Sequence, residues 1–281
     1  MKKLLTLVFS MLFLLALSSC QGGNRKEYIT YNYGKYPQTK ISDKELITKL
    51  DELKETNENG YYVLDNVEYA KLRPNPAYAD YSFADGTYIL DKDYYFRVDP
   101  IKWRLLKTDG NIKYLISDFV IECTDYLENL ETSEYSYISS NIRSFLTNDF
   151  YNKAFKSETK KPLLTEISIE IDEEVTKIND NIWIPSIYEI EDKNNGFLSI
   201  DDKFAFTTDY AIAKGIEMYI ESPNSYFYRA AQYATSTRAL YEENSFYYID
   251  YFGKNLSSSD SKNKVLKNIG VRPCIRLEME N

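Results

Sequence analysis

Residues 268–277, Asn-Ile-Gly-Val-Arg-Pro-Cys-Ile-Arg-Leu, constrain the fold of this chain more than any other stretch. Val271, Ile275 and Leu277 fall on one face of an extended segment, with Arg272, Cys274 and Arg276 on the other. That period of two is the pattern of a half-buried strand. Pro273 cannot donate to a ladder, which suits the start of a strand or a bulge. Gly270 supplies the positive φ of a turn leading in. An arginine on an otherwise apolar strand needs an acceptor elsewhere in the fold, because a buried guanidinium left unpaired is costly.

The other end of the chain carries an address. Lys2 and Lys3 precede an apolar run over 4–16, and Leu17-Ser18-Ser19-Cys20 follows. A charged start, a short apolar stretch and small residues before a cut describe a secretory signal over 1–19. The run is short for a membrane span. Cys20 sits where a bacterial lipobox places the cysteine that is acylated, and 20–26, Gly22 and Gly23 included, reads as a lipidated tether. The expected place is therefore the cell membrane or outer membrane, lipid-anchored and facing away from the cytoplasm.

Loss of residues 1–19 would remove two lysines and take the net charge from −9 to −11. An acidic chain lacks the basic footprint that nucleic acid requires. With no histidine in 281 residues, Ser-His-Asp and Cys-His catalysis and the usual zinc sites are excluded. No metal or other cofactor is expected, and no residue stands out as catalytic. The 27 tyrosines are scattered along the chain, which favours sheet propensity over one dedicated aromatic surface. Besides Cys20 the cysteines are Cys123 and Cys274. Both lie in apolar, strand-like sequence and are expected to be reduced and apart.

Along the chain, Ile29, Tyr31 and Tyr33 alternate as a strand, and Ser42 with Glu45 forms a capping box before Leu46, Leu50 and Leu53. An aromatic strand is expected over 61–69 and a surface loop or hairpin arm over 73–86. Strands over 94–106 and 113–117 meet at Asp109-Gly110, a hairpin signal. Ser139 or Ser140 caps a helix whose stripe is Ile142, Phe145, Leu146 and Phe150. Residues 166–175 alternate. Ser186 and Glu189 form a second capping box, a short helix over 207–214 stops at Gly215, and 226–252 reads as aromatic strand. Strands and helices interleave without a βαβ rhythm, which is α+β.

Six motifs occur in order: Tyr33-Gly-Lys-Tyr-Pro-Gln-Thr39, Pro100-Ile-Lys-Trp-Arg-Leu-Leu106, Ser140-Asn-Ile-Arg-Ser-Phe-Leu-Thr-Asn148, Trp183-Ile-Pro-Ser186 with Glu189, Thr207-Thr-Asp-Tyr-Ala211, and Gly270-Val-Arg-Pro273. The series resembles an uncharacterised domain family of bacterial surface proteins and lipoproteins. That family is distantly similar to C-type-lectin-like domains and to formylglycine-generating, sulfatase-modifying enzymes. The resemblance implies a C-type-lectin-like mixed sheet with flanking helices and paired N- and C-terminal strands. It also implies one domain over 27–281 with an insertion around 40–90. Two departures matter. The enzymes use a pair of cysteines near the C-terminus, whereas Cys274 stands alone, and the calcium-lectin sugar tripeptides are only approximated by Glu221-Ser-Pro-Asn224.

The expected function is that of a lipid-anchored extracytoplasmic protein whose lectin-like domain binds a glycan or a protein. The alternatives are a degenerate sulfatase-modifying enzyme and a structural envelope protein. The candidate ligand residues are Tyr226, Tyr228, Arg229 and Tyr233, rings around a cation. Asp250 is a candidate partner of Arg229, which is expected to face ligand. Arg272 and Glu189 are the expected structural ion pair.

Overall fold

The structure, a computed structural model, describes residues 27–127, 136–171, 174–239, 245–258 and 267–279. The expected signal, Cys20 and the whole of the expected tether lie outside the described residues. Strands are numbered in chain order. The largest sheet has seven: β1 (Thr30–Lys40), β2 (Tyr62–Leu64), β3 (Val67–Leu72), β4 (Tyr94–Asp109), β5 (Ile112–Ser117), β10 (Ile182–Trp183) and β17 (Cys274–Glu278). Their order is β10-β17-β5-β4-β3-β2, with β1 also on β4. A five-stranded sheet joins β7 (Glu122–Thr124), β13 (Tyr233–Arg238), β14 (Phe246–Ile249), β15 (Asn255–Ser257) and β16 (Ile269–Val271). Three short strands, β6 (Phe119–Val120), β11 (Ala205–Thr207) and β12 (Ala230–Ala231), form a third sheet, and β8 (Thr165–Ile171) pairs with β9 (Glu174–Asp180) as a hairpin. The helices are α1 (Lys44–Asp51), α2 (Asn141–Ser144), α3 (Tyr151–Ala154), α4 (Ile187–Glu191), α5 (Ile200–Lys203) and α6 (Asp209–Lys214). The fold is α+β, dominated by sheet.

The sixteen-residue β4 organises the large sheet. One edge pairs with β1 from Phe96 to Arg104, while the other receives β3 at Tyr94–Arg97 and β5 at Trp103–Asp109. The N- and C-terminal strands are consequently not paired, contrary to expectation. They share the sheet but stand apart, because β1 takes one edge of β4 and β17 takes the outer edge of β5. Trp103, with no exposed surface, sits in the middle of β4 and donates from Nε1 to the Tyr33 carbonyl at 2.7 Å.

The closing stretch is two strands, not one. β16 adds to the five-stranded sheet through Cys123 and Tyr233, and β17 adds to the seven-stranded sheet through β5 and β10. The chain changes sheets at Arg272–Pro273, where proline would have interrupted any single ladder. Residues 269–275 are buried on both faces, so the sequence alternation does not mark one dry and one wet side. Positive φ falls on Asn268 rather than Gly270. Gly270 is required instead by close approach, since a Cβ there would lie 2.2 Å from the Gln232 carbonyl oxygen.

Local rules explain the other differences. The N-cap of α1 is Asp43, whose carboxylate accepts from the Glu45 and Leu46 amides, not Ser42. The aromatic strand at 61–69 is a hairpin, turned by Asp65 and Asn66 at φ 50° and 63°. The alternating 166–175 segment likewise spans two strands, β8 and β9. Ser140 caps α2, and the helix continues through a π-helical segment, Phe145–Phe150, into α3. Ile142, Leu146 and Phe150, spaced four apart, share one face and are all fully buried. The loop after Arg73 is not merely superficial. Tyr81 and Phe83 are buried in the main core, the Tyr81 hydroxyl bridges the Met218 backbone, and the Lys40 ammonium meets Asp85 at 2.8 Å.

Candidate functional site

The residues around Arg229 were the sequence candidates for ligand contact, and the fold separates them. Tyr233 opens β13 with no exposed surface; its hydroxyl donates to the Lys203 carbonyl and accepts from Arg272 Nη1 at 3.2 Å. Arg229 is tied down as well. Its Nη2 meets Asp209 at 2.9 Å and its Nη1 donates to the Ser82 carbonyl at 3.1 Å. Asp250, the expected partner, instead accepts from the Phe252 and Lys254 amides in its own turn. Tyr226 and Tyr228 remain half-buried.

The expected Arg272–Glu189 pair is not formed. Glu189 returns to the Ser186 amide at 2.8 Å and completes the capping box of α4. Arg272, fully buried, gives Nε to the Ser117 carbonyl at 3.1 Å and Nη1 to the Lys203 carbonyl at 2.9 Å, and lies over the Tyr233 ring. Carbonyl oxygens take the place of the carboxylate. Burial and the positive charge of Arg272 lower the Arg104 pKa, and Arg104 bonds Asp118 at 2.9 Å with its guanidinium against the Tyr28 ring.

Rings that composition did not single out gather next to Tyr226. Phe204, at the end of α5, is 4 % exposed and has Phe206, Tyr226 and Phe227 around it at 5.0–5.4 Å between centroids. Phe227 continues to Phe252 at 5.1 Å, and Phe252 to Tyr219 and Tyr251, both at 5.1 Å. Apart from Phe204 these rings are half-buried, so each keeps part of its surface open to solvent. They come from the β11 region, the turn before β12 and the β14–β15 turn, which is why no linear pattern announces them.

A cleft of about 490 Å³ lies between the α4–α5 segment and the β14–β15 turn, next in sequence to Phe204 and Phe252. Leu198, Ile200 and Leu256 line it, exposed by 62 %, 45 % and 36 %, and so do Lys193, Lys203 and Lys254 with one carboxylate, Glu191. Gly253 joins the two features. It has φ 78°, and a Cβ there would lie 2.6 Å from the Ile200 carbonyl oxygen and 3.2 Å from the Phe204 amide. Phe252 before it enters the ring cluster, and Lys254 after it enters the cleft.

Catalytic chemistry finds less support. Cys274 and Cys123 are free and buried, and burial pushes both thiols well above their usual range. A nucleophile needs the opposite shift. Among the described residues no group of three or more Cys, Asp or Glu side chains is placed to hold a metal ion, and no helix is long and apolar enough to cross a membrane. Glu221–Asn224 forms an exposed turn.

The family model described as a domain of unknown function, DUF6273, matches residues 105–279. No curated protein and no solved structure matches the chain. The matched span runs from within β4 to the end of β17, and residues 27–104 supply β1 to β3, α1 and most of β4. One main core contains residues from both parts, Tyr36 and Phe83 alongside Trp183 and Leu277.

Proposed function

This chain belongs to the DUF6273 family, and we propose that it is a lipid-anchored, extracytoplasmic binding protein of lectin-like type, engaging a glycan or protein ligand through rings rather than a metal. The observation that carries the reading is the group of half-buried rings around Phe204. Aromatic faces left partly open beside a cleft can stack on the apolar face of a sugar or on apolar side chains while tyrosine hydroxyls stay wet. The order Lys2, Lys3, apolar run and Cys20 supports the anchor. Acylation of Cys20 would hold the domain at the membrane, since each buried methylene contributes about 0.8 kcal/mol.

A glycan array together with capture from extracellular material tests the binding half. Tyr226→Ala and Phe227→Ala should lower any signal while the far-ultraviolet spectrum stays that of the parent. Silence of the parent protein in both assays removes the reading. Mass spectrometry of the mature N-terminus tests the anchor, which requires an acylated Cys20.

A further inference from the structure

The ring surface and the lysine-lined cleft are interleaved along the chain, and the interleaving points to a ligand class. Lys203 directly precedes Phe204, the centre of the rings. Lys254 follows Phe252 with only Gly253 between them. Gly253 packs against Ile200 and Phe204 so tightly that no side chain fits, which brings the β14–β15 turn onto α5. Rings and ammonium groups are therefore carried side by side on the same two packed segments. The lysines are also available. Among the described residues Lys193, Lys203 and Lys254 enter no ion pair, whereas Lys40, Lys71, Lys102, Lys156, Lys177 and Lys214 each do. With Glu191 as the one acidic lining residue, the cleft carries a local positive surplus on a protein of net charge −9.

We propose that the ligand of this surface is an acidic polysaccharide, its pyranose faces stacked on the rings of Tyr226, Phe227 and Phe252 and its carboxylates set against Lys193, Lys203 and Lys254. The inference rests on the ring surface being a binding site and adds the charge of what it binds. Each half of the surface recognises a different property. A neutral sugar chain would meet the rings and leave the ammonium groups with water alone. An anion without sugar rings would meet only the lysines, two of them exposed, where pairing is weak and screened by salt. The combination selects a chain that is both pyranose and anionic.

The test is titration of the full-length protein, purified in detergent, with three probes: polygalacturonate, neutral galactan of matched length, and inorganic polyphosphate. Polygalacturonate should bind at least about tenfold more tightly than either of the others, and its affinity should fall as salt rises. The triple variant K193Q/K203Q/K254Q, which changes only cleft-lining lysines, should lose about tenfold for polygalacturonate and little for galactan. Phe227→Ala should weaken both polysaccharides, with its denaturant midpoint recorded to separate lost stacking from lost fold. Equal affinity for galactan and polygalacturonate, or an unaffected triple variant, overturns the acidic class and leaves ring-based binding standing. Polyphosphate binding as tight as polygalacturonate overturns it too, since charge alone would then suffice. Absence of binding to every probe, with silence on the array, overturns both.

Discussion

The Arg229 guanidinium lies 2.9 Å from the Asp209 carboxylate, and the two side chains lock three segments together. Asp209 opens α6 and also accepts from the Ala84 amide at 2.7 Å, while Arg229 reaches the Ser82 carbonyl. The loop around Phe83, the start of α6 and the turn before β12 are thus held at one point. Arg229 keeps that position at φ 69°, an unfavourable region for a residue with a side chain. Arg229→Ala leaves a 7 %-exposed carboxylate without its cation, at a cost of about 3–5 kcal/mol. A urea midpoint within error of the parent would show that the pair contributes nothing.

Arg272 should prove as important by a different route. Removing it takes a donor from the Ser117 and Lys203 carbonyls, of which Lys203 keeps the Tyr233 hydroxyl, and opens a cavity where the chain changes sheets. Arg272→Ala should cost about 3–5 kcal/mol, cavity and lost hydrogen bonds together. Arg272→Met fills most of the space without donors and should fall between parent and alanine variant. Equal midpoints for Met and Arg would mean that packing alone holds the crossing.

Glu122 gives a pH signature. It is 2 % exposed, accepts from the Tyr36 hydroxyl at 2.7 Å, and has the Lys214 ammonium 3.7 Å away. Burial outweighs these contacts and raises its pKa above the ordinary 4.5. Below that value both folded and unfolded chains carry the neutral acid, and its contribution to stability is complete. As pH rises through the raised value the unfolded chain ionises more readily, and that contribution is lost. Glu122→Gln should therefore gain stability relative to the parent as pH rises above the ordinary 4.5. A stability difference between the two that does not move with pH would rule this out.

The thiols offer a direct check on the core. Cys123 lies in β7 and Cys274 in β17, 3 % exposed each, with thiolates disfavoured by burial. Native protein should resist alkylation, and denatured, unreduced protein should take up a label at each of these two positions. A mass two hydrogens short, with neither position labelled, would establish a disulfide.

Much of the fold was legible because it follows from local chemistry. The Ser186–Glu189 box, the Ser140 cap, the hairpin at Asp109-Gly110 and the stop at Gly215 each depend on neighbours within a few residues. Where two local solutions competed, reading failed, as with Asp43 beside Ser42. Partners distant in sequence were beyond reach. Arg229 could be seen to need a carboxylate, but Asp209 and Asp250 are equivalent on paper, and only the packing of α6 against the Phe83 loop decides between them. The ring cluster illustrates the same limit. Tyr226 was recognised as a candidate, whereas Tyr219, Phe204 and Phe252 join it only through tertiary contact, and Tyr233 looked like a surface ring because nothing local marks it as buried.

The change of sheet at Arg272–Pro273 also sets the order in which the molecule can be completed. Strand β10 finds its ladder partner, and β5 its outer neighbour, only in residues 274–278. A chain emerging from the ribosome therefore lacks the last piece of both sheets until synthesis is almost over. Pairings this remote in sequence form slowly. Both sheets therefore stay incomplete, with the outer edge of β5 uncovered, until the last strands arrive.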